Sequence, residues 1–123
     1  MPAMRPKERK VKKRLDLGHP APIRCRKHLD WVAGHFCSVP GCWVTEGIVA
    51  HHVRLGSHAA KGKQPGDEKA ISLCHHHHIE DLHQHGEESF ARKHGMELQE
   101  IAADFASNSP PLRIHLAKLA RKA

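Results

Sequence analysis

The chain has 123 residues with three Phe, two Trp and no Tyr, which bounds it to one small domain with few large aromatic anchors for a core. Its formal charge of +7 and pI of about 9.5 favour a polyanionic partner, nucleic acid ahead of an anionic membrane surface. No stretch approaches the roughly 20 apolar residues that span a bilayer, and no apolar segment follows the basic N-terminus, so no membrane association or secretion is expected and the cytoplasm is the expected compartment.

Residues 1–22 carry Arg5, Lys7, Arg9, Lys10, Lys12, Lys13 and Arg14 ahead of Gly18, Pro20 and Pro22, and read as a disordered basic arm suited to phosphate contact. Cys25, Leu29, Trp31 and Val32 have helical spacing, with Gly34 as a stop. A β-hairpin is expected over residues 36–53. Pro40-Gly41 turns a cysteine loop, Glu46-Gly47 separates Trp43-Val44 from Ile48-Val49, and His51-His52 end the second strand. A Gly-, Lys- and Ser-rich basic loop spans residues 54–66, and Ala70-Ile71-Ser72-Leu73 reads as a short strand entering Cys74.

From His77 the sequence suits a helix through Ile79 and Leu82, a turn at Gly86, and a second helix over residues 87–94 that stops at Gly95. Leu98, Ile101, Ala102 and Phe105 define an amphipathic helix that halts at Asn108-Ser109-Pro110-Pro111, and Leu112, Leu116 and Leu119 form a last stripe for core or partner packing. The expected organisation is α+β. A folded domain over residues 23–107 follows the arm, and residues 108–123 make a C-terminal helical tail.

Most of the 14 His and 4 Cys fall in the middle of the chain, where a metal would support so small a core. Cys37 and Cys42 make a C-x4-C knuckle, and Cys74 with His77 supplies a C-x2-H partner, together the four tetrahedral ligands of a structural zinc. The spacing suits zinc better than a disulfide framework. The internal run His75 to His78 is too long for every member to reach one ion, so His75 and His76 are expected at the surface.

His51, His52, His78, His83 and His85 remain. Adjacent residues on a regular strand point to opposite sides, so His51 and His52 are expected to have different jobs, one ligating a metal and one accepting a proton. Phosphodiester hydrolysis needs both: a base for the attacking water and a cation at the scissile phosphate.

The order of these elements resembles that of HNH (ββα-metal) nucleases, and more narrowly the phage and prophage nucleases related to Ref, which act with RecA in recombination. The resemblance is carried by His28-Leu29-Asp30-Trp31-Val32, Ala50-His51-His52-Val53, Asp67, Leu73-Cys74, His77-His78, Leu82-His83 and Gly86-Glu87-Glu88. It implies a small ββα-metal finger with a zinc knuckle and flanking helices, acting as a metal-dependent DNA endonuclease. By the same resemblance His52 is the general base, Asp67 orients it or its strand, and His51, His78 and His83 hold the catalytic ion. That ion would be Mg2+ or Mn2+, with Zn2+ or Ni2+ as alternatives. A RecA filament is the implied partner beside DNA. The knuckle has four intervening residues where many relatives have two, and His78 and His83 stand one residue further apart than the i+4 pair that shares an α-helical face. A turn or bulge between them would restore the face. The alternative is a non-catalytic zinc-stabilised DNA-binding or recombination accessory module, which needs the knuckle and the basic charge but not His52. Metal storage or sensing is a third possibility, which leaves Asp67 and the paired histidines unexplained.

Overall fold

The computed structural model describes residues 21–56 and 64–122. Of the expected basic arm, residues 1–20 lie outside the described residues, as do residues 57–63 of the basic loop.

Helix α1 (Arg26–Val32) starts where Cys25 adopts an extended conformation and donates its backbone N–H to Asp67 Oδ2 at 2.7 Å. It turns His28 and Val32 inward. The cysteine loop follows, closed by Cys42 N–H to the Val39 carbonyl at 3.0 Å, with Gly41 at φ 84°, where a side chain would strain the backbone.

Strand β1 (Val49–His52) pairs antiparallel with β2 (Ala70–Leu73), with His51 opposite Ile71 and His52 opposite Ala70. The expected hairpin over residues 36–53 does not form. Val44 instead accepts the Cys37 N–H at 3.0 Å, and Ser38 N–H reaches the Ser72 carbonyl at 2.8 Å, which ties the knuckle to β2. Burial accounts for the choice. All four residues of β2 are buried, whereas Trp43 and Val44 are exposed and offer little apolar area to a partner strand.

Ile71 and Leu73 pack with Val53, Leu82, Phe90, Met96, Leu98 and Ala102 in one core, where each large apolar side chain contributes about 1.5–3 kcal/mol by leaving water. A 3₁₀ turn (Asp67–Lys69) leads into β2. After β2 the chain enters a π-helix (His76–Leu82) that continues as the short α2 (His83–His85). Gly86, at φ 87°, breaks the run before α3 (Glu87–His94), which Gly95 ends in the left-handed conformation. Helix α4 (Leu98–Asn108) packs against β2.

Helix α5 (Pro110–Lys122) returns to α1. Leu112 is buried, its N–H bonds to Ser109 Oγ at 3.2 Å, and the same hydroxyl lies 2.8 Å from His28 Nδ1. Of the expected last stripe, Leu116 and Leu119 are exposed. The described chain is a small α+β fold built on a two-stranded sheet and a Cys/His cluster. Among the described residues no helix is long and apolar enough to cross a membrane.

Candidate metal centres

Cys37, Cys42, Cys74 and His77 converge, with their ligand atoms all within 4.8 Å of one another. Cys42 Sγ stands 4.0 Å from Cys74 Sγ, and His77 Nδ1 stands 3.3 Å from Cys74 Sγ and 3.6 Å from Cys37 Sγ. A tetrahedral zinc with Zn–S bonds of about 2.3 Å holds its sulfurs about 3.8 Å apart, so the four side chains are close enough to bind such an ion with little movement. The local sequence explains the convergence. The Pro40-Gly41 turn folds the knuckle, the Ser38–Ser72 bonds set it beside β2, and the first turn of the π-helix carries His77 back over Cys74. Burial pushes the Cys37 thiol up to about 11, with Cys42 and Cys74 adding to the rise, and burial lowers His77, helped by His76 and His94. The thiol therefore keeps its proton near neutrality until a bound cation displaces it to solvent, and the lowered imidazole is held towards the form that ligates.

A second convergence lies at the junction of β1 with the π-helix. One ring nitrogen each of His51, His78 and His83 fall within 4.8 Å of one another. The rings of His51 and His78 are 5.2 Å apart between centroids, and those of His78 and His83 4.4 Å. The π-helix makes this possible, because the His83 N–H bonds to the His78 carbonyl and each turn takes up one more residue than an α-turn. His78 is pushed down to about 4 by burial first, then by His51, His83 and His75, so it is neutral at pH 7 with a lone pair to donate. Three imidazoles suit a divalent transition ion such as Zn2+ or Ni2+, the alternatives named from the sequence, better than they suit Mg2+.

His52 leaves β1 on the other side and donates Nε2–H to Asp67 Oδ1 at 2.9 Å. Asp67 is buried, and it is fixed by the Cys25 N–H and by Arg24, whose guanidinium lies 3.5 Å away. His75 and His76 are exposed, as the sequence suggested, and His76 pairs with Glu80 at 3.3 Å.

Two carboxylates beside these histidines were given no role from the sequence, although Glu87 stands among the residues that carry the resemblance. Glu87 accepts His51 Nε2–H at 2.8 Å and the backbone N–H groups of Arg54 and Leu55. Burial alone would raise its carboxyl, but those hydrogen bonds overcome it and hold Glu87 below the usual range. Asp81, also buried, receives His94 Nε2–H at 2.7 Å and the Lys93 ammonium at 3.3 Å on its carboxylate, while His85 Nδ1 bonds to its backbone carbonyl at 2.9 Å. Although His77, Asp81 and His94 cluster closely, the Lys93 ammonium already neutralises Asp81, and His77 Nδ1 is turned to the thiols. Asp81 and His94 therefore buttress the ligand-bearing helix. The available signal was a carboxylate beside the apolar Leu82 on a helix facing basic residues of the next, and an acid opening a helix just after Gly86.

Comparison with family models, curated proteins and solved structures found no match to this chain.

Proposed function

We propose that the protein is a metal-dependent DNA endonuclease of the HNH kind, with a structural zinc at Cys37, Cys42, Cys74 and His77. The observation that carries this reading is the pairing of His52 with Asp67 on the strand residue next to His51, while His51 joins His78 and His83. Two strands leading into a helix that bears the remaining histidines is also the order the resemblance implies.

With Nε2–H donated to Asp67, the His52 ring keeps its Nδ1 lone pair for a proton. Asp67 holds the tautomer and stabilises the imidazolium that forms. In hydrolysis the water oxygen bonds to phosphorus, its proton passes to His52 Nδ1, and the bond from phosphorus to the 3′ oxygen breaks with its electron pair on that oxygen. His51, His78 and His83 would hold a divalent ion, which when bound supplies positive charge to the scissile phosphate and the departing oxygen. The overall charge of +7 supports attraction to the phosphate backbone.

The test is nicking of supercoiled plasmid with Mg2+ or Mn2+, with and without RecA, by the wild-type chain and by His52→Ala. Nicking that His52→Ala loses is the expected result. Tight, salt-dependent DNA binding with no cleavage by the wild type under any divalent ion would replace the enzyme with an accessory module.

A further inference from the structure

The Glu87 carboxylate accepts a hydrogen bond from a ring nitrogen of His51, and its surroundings leave it little freedom. Its side chain and that of His51 are each 11% exposed. Oε2 takes the His51 Nε2–H at 2.8 Å and the Arg54 N–H at 2.9 Å, while Oε1 takes the N–H groups of Arg54 and Leu55, both at 3.0 Å. Turning either oxygen towards His78 and His83 would strand those donors, so the carboxylate is an anchor and not a fourth ligand. A carboxylate accepts only, hence His51 carries a hydrogen on Nε2, and Nδ1 is the ring nitrogen left to ligate. Helix α3 extends this hold. Glu87 in its first turn fixes β1, and Lys93 and His94 in its last turn grip Asp81 of the π-helix. One eight-residue helix thus ties β1, which carries His51, to the π-helix, which carries His78 and leads into His83.

We propose that Glu87 is a positioning residue for the second ion site: it locks His51 in the Nε2–H tautomer and presents Nδ1 to the point where His78 and His83 converge. This rests on the reading of His51, His78 and His83 as an ion site and does not depend on cleavage. Partners that fix the tautomer and direction of a ligating imidazole typically change ion affinity by about 10- to 100-fold.

The experiment uses the full chain with zinc at the cysteine site. Nitrogen-15 spectra of the histidine rings, recorded before any second ion is added, report the His51 tautomer, and calorimetric titration with Mn2+ and Ni2+ reports affinity. Wild type is expected to show a protonated Nε2 and a free Nδ1 on His51. Glu87→Ala should lose that preference and bind about 10- to 100-fold more weakly with zinc content unchanged. Glu87→Gln, which still offers His51 an oxygen, should keep the tautomer and bind better than Glu87→Ala. Glu88→Gln, altered at an exposed acid in the same turn, should match wild type. A free Nε2 on His51, or Glu87→Ala binding Mn2+ and Ni2+ as tightly as wild type, overturns the proposal. Wild type binding neither ion overturns it together with the ion-site reading, whereas ion binding without DNA cleavage overturns the nuclease reading alone.

Discussion

The backbone N–H of His83 bonds to the carbonyl of His78, five residues earlier, and the two imidazoles lie with their centroids 4.4 Å apart. In a regular α-helix each residue advances about 100° around the axis, so a partner five positions on sits past the shared face. The π-helix absorbs the surplus residue. Such turns are energetically inferior to α-turns and persist where their surroundings hold them. Here the hold is Asp81, bound by Lys93 and His94 from α3.

Inserting one Ala after the exposed Glu80 tests this register. Six positions would then separate the two histidines, with no second π-turn to recover the face. Affinity for Mn2+ or Ni2+ should fall by at least about tenfold, since a ligand is lost outright and not merely misdirected. Zinc at the cysteine site should survive, because His77 lies before the insertion. Equal affinity in the insertion variant would show that His83 contributes nothing to the ion.

Asp81 should matter for stability. Removing it in Asp81→Ala deletes charged hydrogen bonds to His94 and Lys93, each worth about 1.5–3 kcal/mol when well formed, though Lys93 is half exposed and its share is smaller. A loss of about 2 kcal/mol in urea melts is expected. Burial would raise the Asp81 carboxyl, but His94 and Lys93 hold it below the ordinary carboxylate range. A depressed carboxylate stabilises the fold above its unfolded pKa and ceases to do so as pH falls through its folded one. Wild type should therefore lose part of its margin over Asp81→Ala below about pH 4, and a margin unchanged at acid pH would refute the ion-paired role.

How far these features could be read from the chain depended on whether their cause was local. The knuckle was legible because Cys37, Cys42, Cys74 and His77 follow from ligand spacing alone, and the helices over residues 87–108 because their apolar residues recur with the right period. The strand partner of Val49–His52 was not. Trp43 and Val44 are nearer in sequence and look like strand, but pairing is decided by burial, and the buried segment is Ala70–Leu73. Spacing exposed the mismatch between His78 and His83 without showing its remedy, since a π-helix has no propensity of its own. The roles of Glu87 and Asp81 escaped because their partners, His51 and His94, meet them only through tertiary packing.

Zinc uptake at the cysteine site should release protons and strengthen as pH rises. Burial first, then Cys42 and Cys74, pushes the Cys37 thiol up to about 11 in the absence of metal, so binding must expel its proton near neutrality. An indicator dye in weak buffer should record acidification on adding zinc, and a strong chelator should unfold the domain by circular dichroism. A melt unaffected by chelation, or zinc absent from the purified protein, would remove the structural role.

His78 should titrate far below an ordinary histidine. Burial and the neighbouring His51, His83 and His75 push it down to about 4, against an unfolded value near 6.5. A depressed histidine supports folding above its unfolded pKa, and that support is lost as pH falls from about 6.5 through about 4. In zinc-loaded protein without a second ion, the His78 ring shifts in an NMR titration should stay those of a neutral imidazole at pH 6. A midpoint near 6.5 would mean the ring is not buried among its neighbours.

The two histidine roles should fail in different ways. His52→Ala removes the proton acceptor, and a general base contributes roughly 10²- to 10⁴-fold, so cleavage should fall by that factor while ion affinity and zinc content hold. Asp67 keeps the Cys25 N–H and Arg24 in that variant, so the fold is expected to survive. His78→Ala instead removes one of three ion ligands, and its defect should shrink as Mn2+ or Mg2+ is raised, because occupancy and not chemistry is what was lost. Added ion cannot replace a missing base. Asp67→Ala should fall between them, at about 10- to 100-fold, since His52 stays but its tautomer is no longer held. Cleavage rates measured across an ion titration for all four proteins decide the matter: if high ion rescues His52→Ala as well as His78→Ala, His52 is a ligand and the division of labour along β1 is the reverse of the one proposed.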